Sequence, residues 1–211
     1  MPDAAVAIFA KAPVWGYAKT RLIPRLGPDG AAAFAARLIE HTVRTAVSAG
    51  IGPVTLWCAP DAGHPLFQAL GRRGPSLAVQ PTGDLGFRML AALQATTGAL
   101  VLIGTDCPEL RAGDLRDAAG ALAAGADAVI APSEDGGYGL IAARRPIACL
   151  FHGIPWSTGE VAAATRARVA ENGVTLAELR TTWDVDTPDD WDRLALIEPE
   201  LARGPGHALA S

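Results

Sequence analysis

The segment Val101-Leu102-Ile103-Gly104-Thr105-Asp106-Cys107-Pro108 constrains the fold of this chain more than any other. An apolar run with no polar break, closed by turn residues, suits a strand buried on both faces, as in a parallel sheet covered by helices. Pro108 has no backbone N–H and pushes Cys107 toward extended geometry, so the ladder ends there. Asp106 is left where the strand leaves the sheet, and in open α/β sheets that carboxyl edge is where ligands bind. A carboxylate there serves either as a turn former or as a metal ligand, and the rest of the chain must decide between them.

Length and composition limit the frame around this strand. The 211 residues suffice for one well-buried domain and are too few for two. We expect a single unit over 1–211, with a core over about 4–195 and a loosely ordered tail over about 198–211. Half the residues are hydrophobic and 19% are charged, a globular balance. A net charge of −4 argues against nucleic acid as the main partner. No stretch has the length of a membrane span, and the N-terminus, with Asp3 and a short apolar run, is unlike a signal peptide. Cys58, Cys107 and Cys149 lie far apart and read as reduced thiols of a cytoplasmic protein. The four histidines lack zinc-site spacing.

Strand-like and helix-like patterns alternate along the chain. Ala5–Phe9 is a first apolar run, followed by the polar loop 11–22 with Lys11, Lys19 and Arg21. Three cations after a first strand form either an anion cradle or a solvated basic loop; the spacing is not that of a Walker loop. From Gly30 to Ala49 the apolar positions follow helical periodicity. Val54–Cys58 and Leu77–Gln80 are strands, with a short helix from His64 to Leu70 between them. Asp84 reads as a helix N-cap; Gly83 would let a ligand approach the backbone, and Arg88 could reach a phosphate. A helix through Leu115 and Leu122 precedes the strand Ala128–Pro132.

Asp135-Gly136-Gly137 is then either a plain hairpin turn or a glycine-floored loop with Asp135 facing a hydroxyl-rich ligand. Ser157 and Glu160 fit a capping box, and Trp156 is a packing residue or a stacking platform. Thr187, Pro188 and Asp190 form a second box, which leaves Asp184 and Asp186 unexplained. In a strand these two would project from the same side. The whole pattern predicts a three-layer α/β/α domain with a mostly parallel sheet. Asp106, Asp184 and Asp186 at one sheet edge would hold a hard cation, Mg²⁺ or Mn²⁺, that bridges phosphate oxygens, with Lys11, Lys19 and Arg21 neutralising the remaining charge.

Several short motifs occur in order: Ala10-Lys11-Ala12-Pro13, Lys19-Thr20-Arg21-Leu22, Gly83-Asp84-Leu85-Gly86, Gly104-Thr105-Asp106-Cys107-Pro108, Asp135-Gly136-Gly137-Tyr138, Pro155-Trp156-Ser157-Thr158 and Asp184-Val185-Asp186-Thr187-Pro188. With these the chain resembles the bacterial glycosyltransferase-A-like "transferase 1" proteins, often labelled arsenosugar-biosynthesis glycosyltransferases. More distantly it resembles 2-phospho-L-lactate guanylyltransferase. The resemblance implies the nucleotide-diphospho-sugar transferase fold, with Asp106 and Asp186 as metal ligands and Asp184 as a further one. It implies a nucleotide or nucleotide-sugar donor and a small-molecule acceptor. Glycosyl transfer is the leading expectation, with Lys19 and Asp135 as catalytic candidates. Nucleotidyl transfer from a nucleoside triphosphate is the alternative, and a non-catalytic nucleotide-binding module a second. Val14-Trp15-Gly16-Tyr17 departs from the family's Pro-Gly turn.

Overall fold

Each strand of this chain is an apolar run sandwiched between helices, and alternation within the run decides which helix each side chain meets. Val101 and Ile103 pack on one face of the sheet, and Leu100 and Leu102 on the other. The computed structural model, which describes residues 3–203, places seven such strands in one sheet. They are β1 (Ala4–Lys11), β2 (Val54–Ala59), β3 (Ser76–Val79), β4 (Ala99–Ile103), β5 (Ala128–Pro132), β6 (Tyr138–Ala143) and β7 (Leu176–Glu178). Their order is β3-β2-β1-β4-β6-β5-β7. Only β6 runs against its neighbours β4 and β5, so the sheet is mixed and mostly parallel, as expected.

Helices α1 (Ile23–Ala49), α2 (Pro65–Gly71) and α4 (Ala112–Ala123) cover one face through Ile39, Val43, Phe67, Leu115 and Leu122. Helices α3 (Leu85–Gln94) and α5 (Val161–Glu171) cover the other through Met89, Leu93 and Val169. A third cluster joins Phe34 and Leu38 of α1 to Trp183, Val185 and Trp191, the last on α6 (Pro188–Ile197). No helix among the described residues is long and apolar enough to cross a membrane.

The structure corrects the expected boundaries in four places. The span of α1 opens at Ile23 with a short helical turn, but Gly27, at φ 70°, kinks it and Pro28 starts the main helix, two residues before the expected Gly30. The Ser157–Glu160 capping box is absent: Ser157 lies at φ 64° and Thr158 Oγ1, not Ser157, accepts from the Glu160 N–H. Asp184 and Asp186 lie outside any strand, on an extended segment after β7. Within the expected tail, α7 (Pro199–Arg203) packs Leu201 and Ala202 against α1, and Arg37 donates to both of their carbonyls. Residues 204–211 lie outside the described residues. The expected caps at Asp84 and Thr187 are both present.

One ion pair anchors the acid-bearing segment to the fold. Arg180 Nε and Nη2 each lie 2.8 Å from a carboxylate oxygen of Asp114, in the first turn of α4, and Nη2 also donates to the Glu109 carbonyl. Burial opposes the Asp114 charge, but the Arg180 hydrogen bonds and the Arg111 N–H outweigh it and hold the carboxyl below the usual carboxylate range. Asp114→Asn should therefore cost about 1 kcal/mol at neutral pH, discounted for a half-exposed arginine. The folded pKa lies below the unfolded one, so this contribution is complete above roughly pH 4 and is lost as pH falls through the folded value. Urea unfolding of both proteins at about pH 7 and about pH 2.5 should show the gap closing in acid.

Candidate functional site

The carboxyl ends of the strands open into a cavity of about 610 Å³. It lies over β1 and β4, where the strand order reverses, the usual ligand position of an open α/β sheet. Lys11 ends β1 on its wall, and Gly104, Thr105 and Asp106 follow β4. Gln80, one residue beyond β3, donates through Nε2 to the carbonyls of Trp57 at 2.9 Å and Ala10 at 3.4 Å, fixing the ends of β2 and β1 to each other. Arg88 lines the same half of the cavity, with Nε held 2.9 Å from the Gly83 carbonyl.

The extended segment 182–186 brings the remaining acids in. Its backbone is pinned by Thr182 N–H to the Pro132 carbonyl and by Val185 N–H to the Asp106 carbonyl. Trp183 and Val185 enter the third apolar cluster, so Asp184 and Asp186 project from the opposite side, toward the cavity. The expected pairing of the two acids therefore holds without a regular strand.

They meet different partners. Asp184 is partly buried and accepts from the Cys107 thiol and from Ser133 Oγ, the latter at 3.1 Å. Burial and the neighbouring charges of Asp135 and Asp106 raise its pKa to about 6, against the lowering effect of those two hydrogen bonds. Burial, reinforced by the Asp184 carboxylate, pushes the Cys107 thiol well up, so it stays protonated and serves as a donor.

Asp186 and Asp106 converge on Lys19. The Lys19 ammonium lies 2.7 Å from Asp106 Oδ1, 2.9 Å from Asp186 Oδ1 and 2.7 Å from the Val185 carbonyl. Its side chain is 9% exposed, while those of the two acids are 52% and 45% exposed. Burial works against the ammonium charge, but Asp106 and Asp186 outweigh it, and its pKa lies above the ordinary lysine value. Arg21 sits outside this group, 3.8 Å from Asp186 Oδ2 and largely exposed. The acids suit a hard cation in number and kind, since Mg²⁺ is commonly held by one or two carboxylates together with water and phosphate oxygens. Among the described residues no group of three or more acidic, histidine or cysteine side chains is placed to hold a metal ion. The expected trio of Asp106, Asp184 and Asp186 is therefore reduced to the pair Asp106 and Asp186, with Asp184 turned onto Cys107 and Ser133.

Asp135 and Gly83 stand apart from the cavity wall. Asp135 Oδ1 accepts from the Gly137 N–H, a turn-forming bond in the hairpin between β5 and β6. Trp156 packs edge-on against Tyr138 and over Gly86, where a Cβ would strike its ring, so it is a half-buried packing residue against the second apolar cluster. Three contributors escaped the sequence reading: Gln80, and the Cys107 and Ser133 that hold Asp184. Gln80 carried a signal, a polar residue ending an apolar run before a proline, as at Asp106. Ser133 carried none.

Fold and cavity define the class: this is a nucleotide-diphospho-sugar transferase-like α/β fold, of the superfamily that includes the nucleotidyltransferases. A protein of Desulfovibrio desulfuricans G20, provisionally named a nucleotide-diphospho-sugar transferase, superposes with a TM-score of 0.82 at 27% identity, over 95% of this chain and 88% of that one. The chain belongs to the family described as "Uncharacterized protein conserved in bacteria (DUF2064)", whose model matches residues 42–158. A phosphoenolpyruvate guanylyltransferase of Sphaerobacter thermophilus is 28% identical over 185 residues, 84% of this chain and 86% of the relative. Rv0371c of Mycobacterium tuberculosis, solved in complex with manganese, shares the fold at a TM-score of 0.55 and 20% identity, over 92% of this chain and 98% of that one.

Proposed function

We propose that this protein is a divalent-metal-dependent nucleotidyltransferase that joins a nucleoside triphosphate to a phosphorylated small acid. The observation that carries this reading is the convergence of Asp106, Asp186 and Lys19 at the strand edge, beside the further cations Lys11, Arg21 and Arg88. A triphosphate needs more positive charge than a diphosphate, and this wall supplies it. The guanylyltransferase relative supports the same choice over glycosyl transfer.

In this reading a phosphate oxygen of the acceptor attacks the α-phosphorus, the bond to the bridging α,β-oxygen breaks, and its electron pair leaves with pyrophosphate. That attacking oxygen is already ionised at neutral pH, so the reaction needs no base to take a proton from a hydroxyl. The position of Asp135, engaged in the hairpin turn and off the cavity wall, fits a reaction without such a base. Asp106 and Asp186 would hold Mg²⁺ or Mn²⁺, and the manganese in a protein of the same fold supports that choice. When bound, the cation supplies neutralisation of the phosphate charge that builds as the bond breaks. Lys11, Arg21 and Arg88 would bind and orient the phosphates. Asp184, held by Cys107 and Ser133, would position the 182–186 segment and add negative charge beneath the site.

Glycosyl transfer is the second reading, favoured by the name of the Desulfovibrio structure and by the "transferase 1" motifs. The protein incubated with GTP, phosphoenolpyruvate and Mg²⁺ or Mn²⁺ should release pyrophosphate, with other triphosphates and phosphorylated acids run in parallel. Release of a nucleoside diphosphate from nucleotide-sugars, with no pyrophosphate from any triphosphate, would replace the first reading by the second.

A further inference from the structure

We propose that Lys19 is the internal counter-cation of this site, and that a divalent cation enters only as the Lys19 ammonium leaves. The inference rests on the metal-dependent reading above and goes beyond it, by making metal occupancy of the free protein low and dependent on the arriving phosphates.

Three observations carry it. The ammonium has three N–H donors and three acceptors within 2.9 Å: Asp106 Oδ1, Asp186 Oδ1 and the Val185 carbonyl. It is therefore saturated, and it takes up one oxygen of each of the two carboxylates that would hold a metal. A second cation in contact with the same two oxygens would face the ammonium at close range and repel it. The environments of the partners also differ. The lysine is nearly enclosed while both acids keep about half their surface in solvent, so a metal can approach the carboxylates from the cavity side. Finally, Lys19 sits at φ 46°, ψ 48°, a left-handed conformation that residues other than glycine rarely adopt. Its contacts hold it there, and the backbone has lower-energy conformations open to it once they are broken.

Phosphate supplies the reason to exchange. A triphosphate brings oxygens that can take both the metal and the ammonium, so the lysine trades two carboxylates for a phosphate while the metal takes its place. The long, freely rotating lysine stem suits such a transfer. A free protein with this arrangement binds metal poorly by itself and binds metal and nucleotide cooperatively.

The test is Mn²⁺ binding to the full-length protein without nucleotide, followed by the paramagnetic resonance signal of free Mn²⁺. Lys19→Met should bind Mn²⁺ about tenfold or more tighter than the parent, because no cation must be displaced. Lys19→Arg, which keeps the charge, should bind no tighter than the parent. Lys19→Met combined with Asp106→Asn should lose the gain, locating it at these carboxylates. Lys19→Gln serves if the methionine variant does not fold, since it keeps a donor for the Val185 carbonyl. A charge-neutral variant that binds Mn²⁺ no tighter than the parent overturns the exchange and leaves the metal-dependent reading standing. Absence of Mn²⁺ binding in parent and variants, with α,β-methylene-GTP present as well as without it, overturns both.

Discussion

Asp106→Asn and Asp186→Asn should each lower pyrophosphate-releasing turnover by about 10²–10³-fold, the usual loss when one preorganised charge-stabilising group is removed from an active site. The substitution is nearly isosteric, and each side chain is about half exposed, so the fold should tolerate it. What changes is charge: one hard oxygen donor becomes an amide, and Lys19 is left with a single carboxylate partner. The effects should not add, because the two acids act as one grip; the double variant should be little worse than either single one. Asp135→Asn should fall by only a few-fold at most, since its carboxylate serves the hairpin and not the cavity wall. Steady-state assays of the four proteins over a range of Mn²⁺ concentrations measure this. A loss at Asp135 equal to that at Asp106 would sink the nucleotidyl reading in its present form, since it would require a base at the acceptor.

The second large effect concerns stability. Gly136→Ala should cost roughly 3 kcal/mol or more, a fall of about 6–12 °C in melting temperature for a chain of this size. Gly136 adopts φ +86°, and a Cβ there would fall onto the carbonyl of Gly159. The Gly136 carbonyl also accepts from the Ala162 N–H in the first turn of α5, so the hairpin cannot swing aside without breaking that bond. Gly137→Ala is the internal control: its φ is not positive, and its Cβ would meet only the flexible Asp135 carboxylate at 3.2 Å. Thermal melts of the two variants should therefore separate widely. Equal, small losses would mean that the contact between the hairpin and the loop before α5 is not a fixed part of the fold.

These expectations show how far local reading reached. The strand at Val101–Ile103, the N-caps at Asp84 and Thr187 and the helical face of α1 all depend on neighbours a few residues away, and each is legible in one dimension. The pairing of Asp184 with Asp186 was also legible as alternation, although the segment proved to be pinned by single hydrogen bonds and not by a full ladder. The Ser157–Glu160 box failed for a non-local reason: the segment ahead of α5 is shaped by Gly159 against Gly136 and by Trp156 over Gly86. A capping motif is a preference of about 1 kcal/mol, and packing between distant segments outweighs it.

The site divides in the same way. Sequence by itself determined that acids and cations of opposite sign stand at strand ends, because polar residues that stop apolar runs are forced to the sheet edge. It determined the residue types, hard oxygen donors and cations, on which the proposed metal and phosphate chemistry rests. Only the tertiary structure decided which charge meets which. Lys19, read as a phosphate ligand on an open loop, lies nearly enclosed between Asp106 and Asp186, residues separated from it by 87 and 167 positions. Asp184, read as a further ligand beside them, is turned onto Cys107 and Ser133. The physical reason is that ion pairing falls steeply with distance and with exposure to water, and neither quantity exists until the strands are ordered and the segment after β7 is laid against β4.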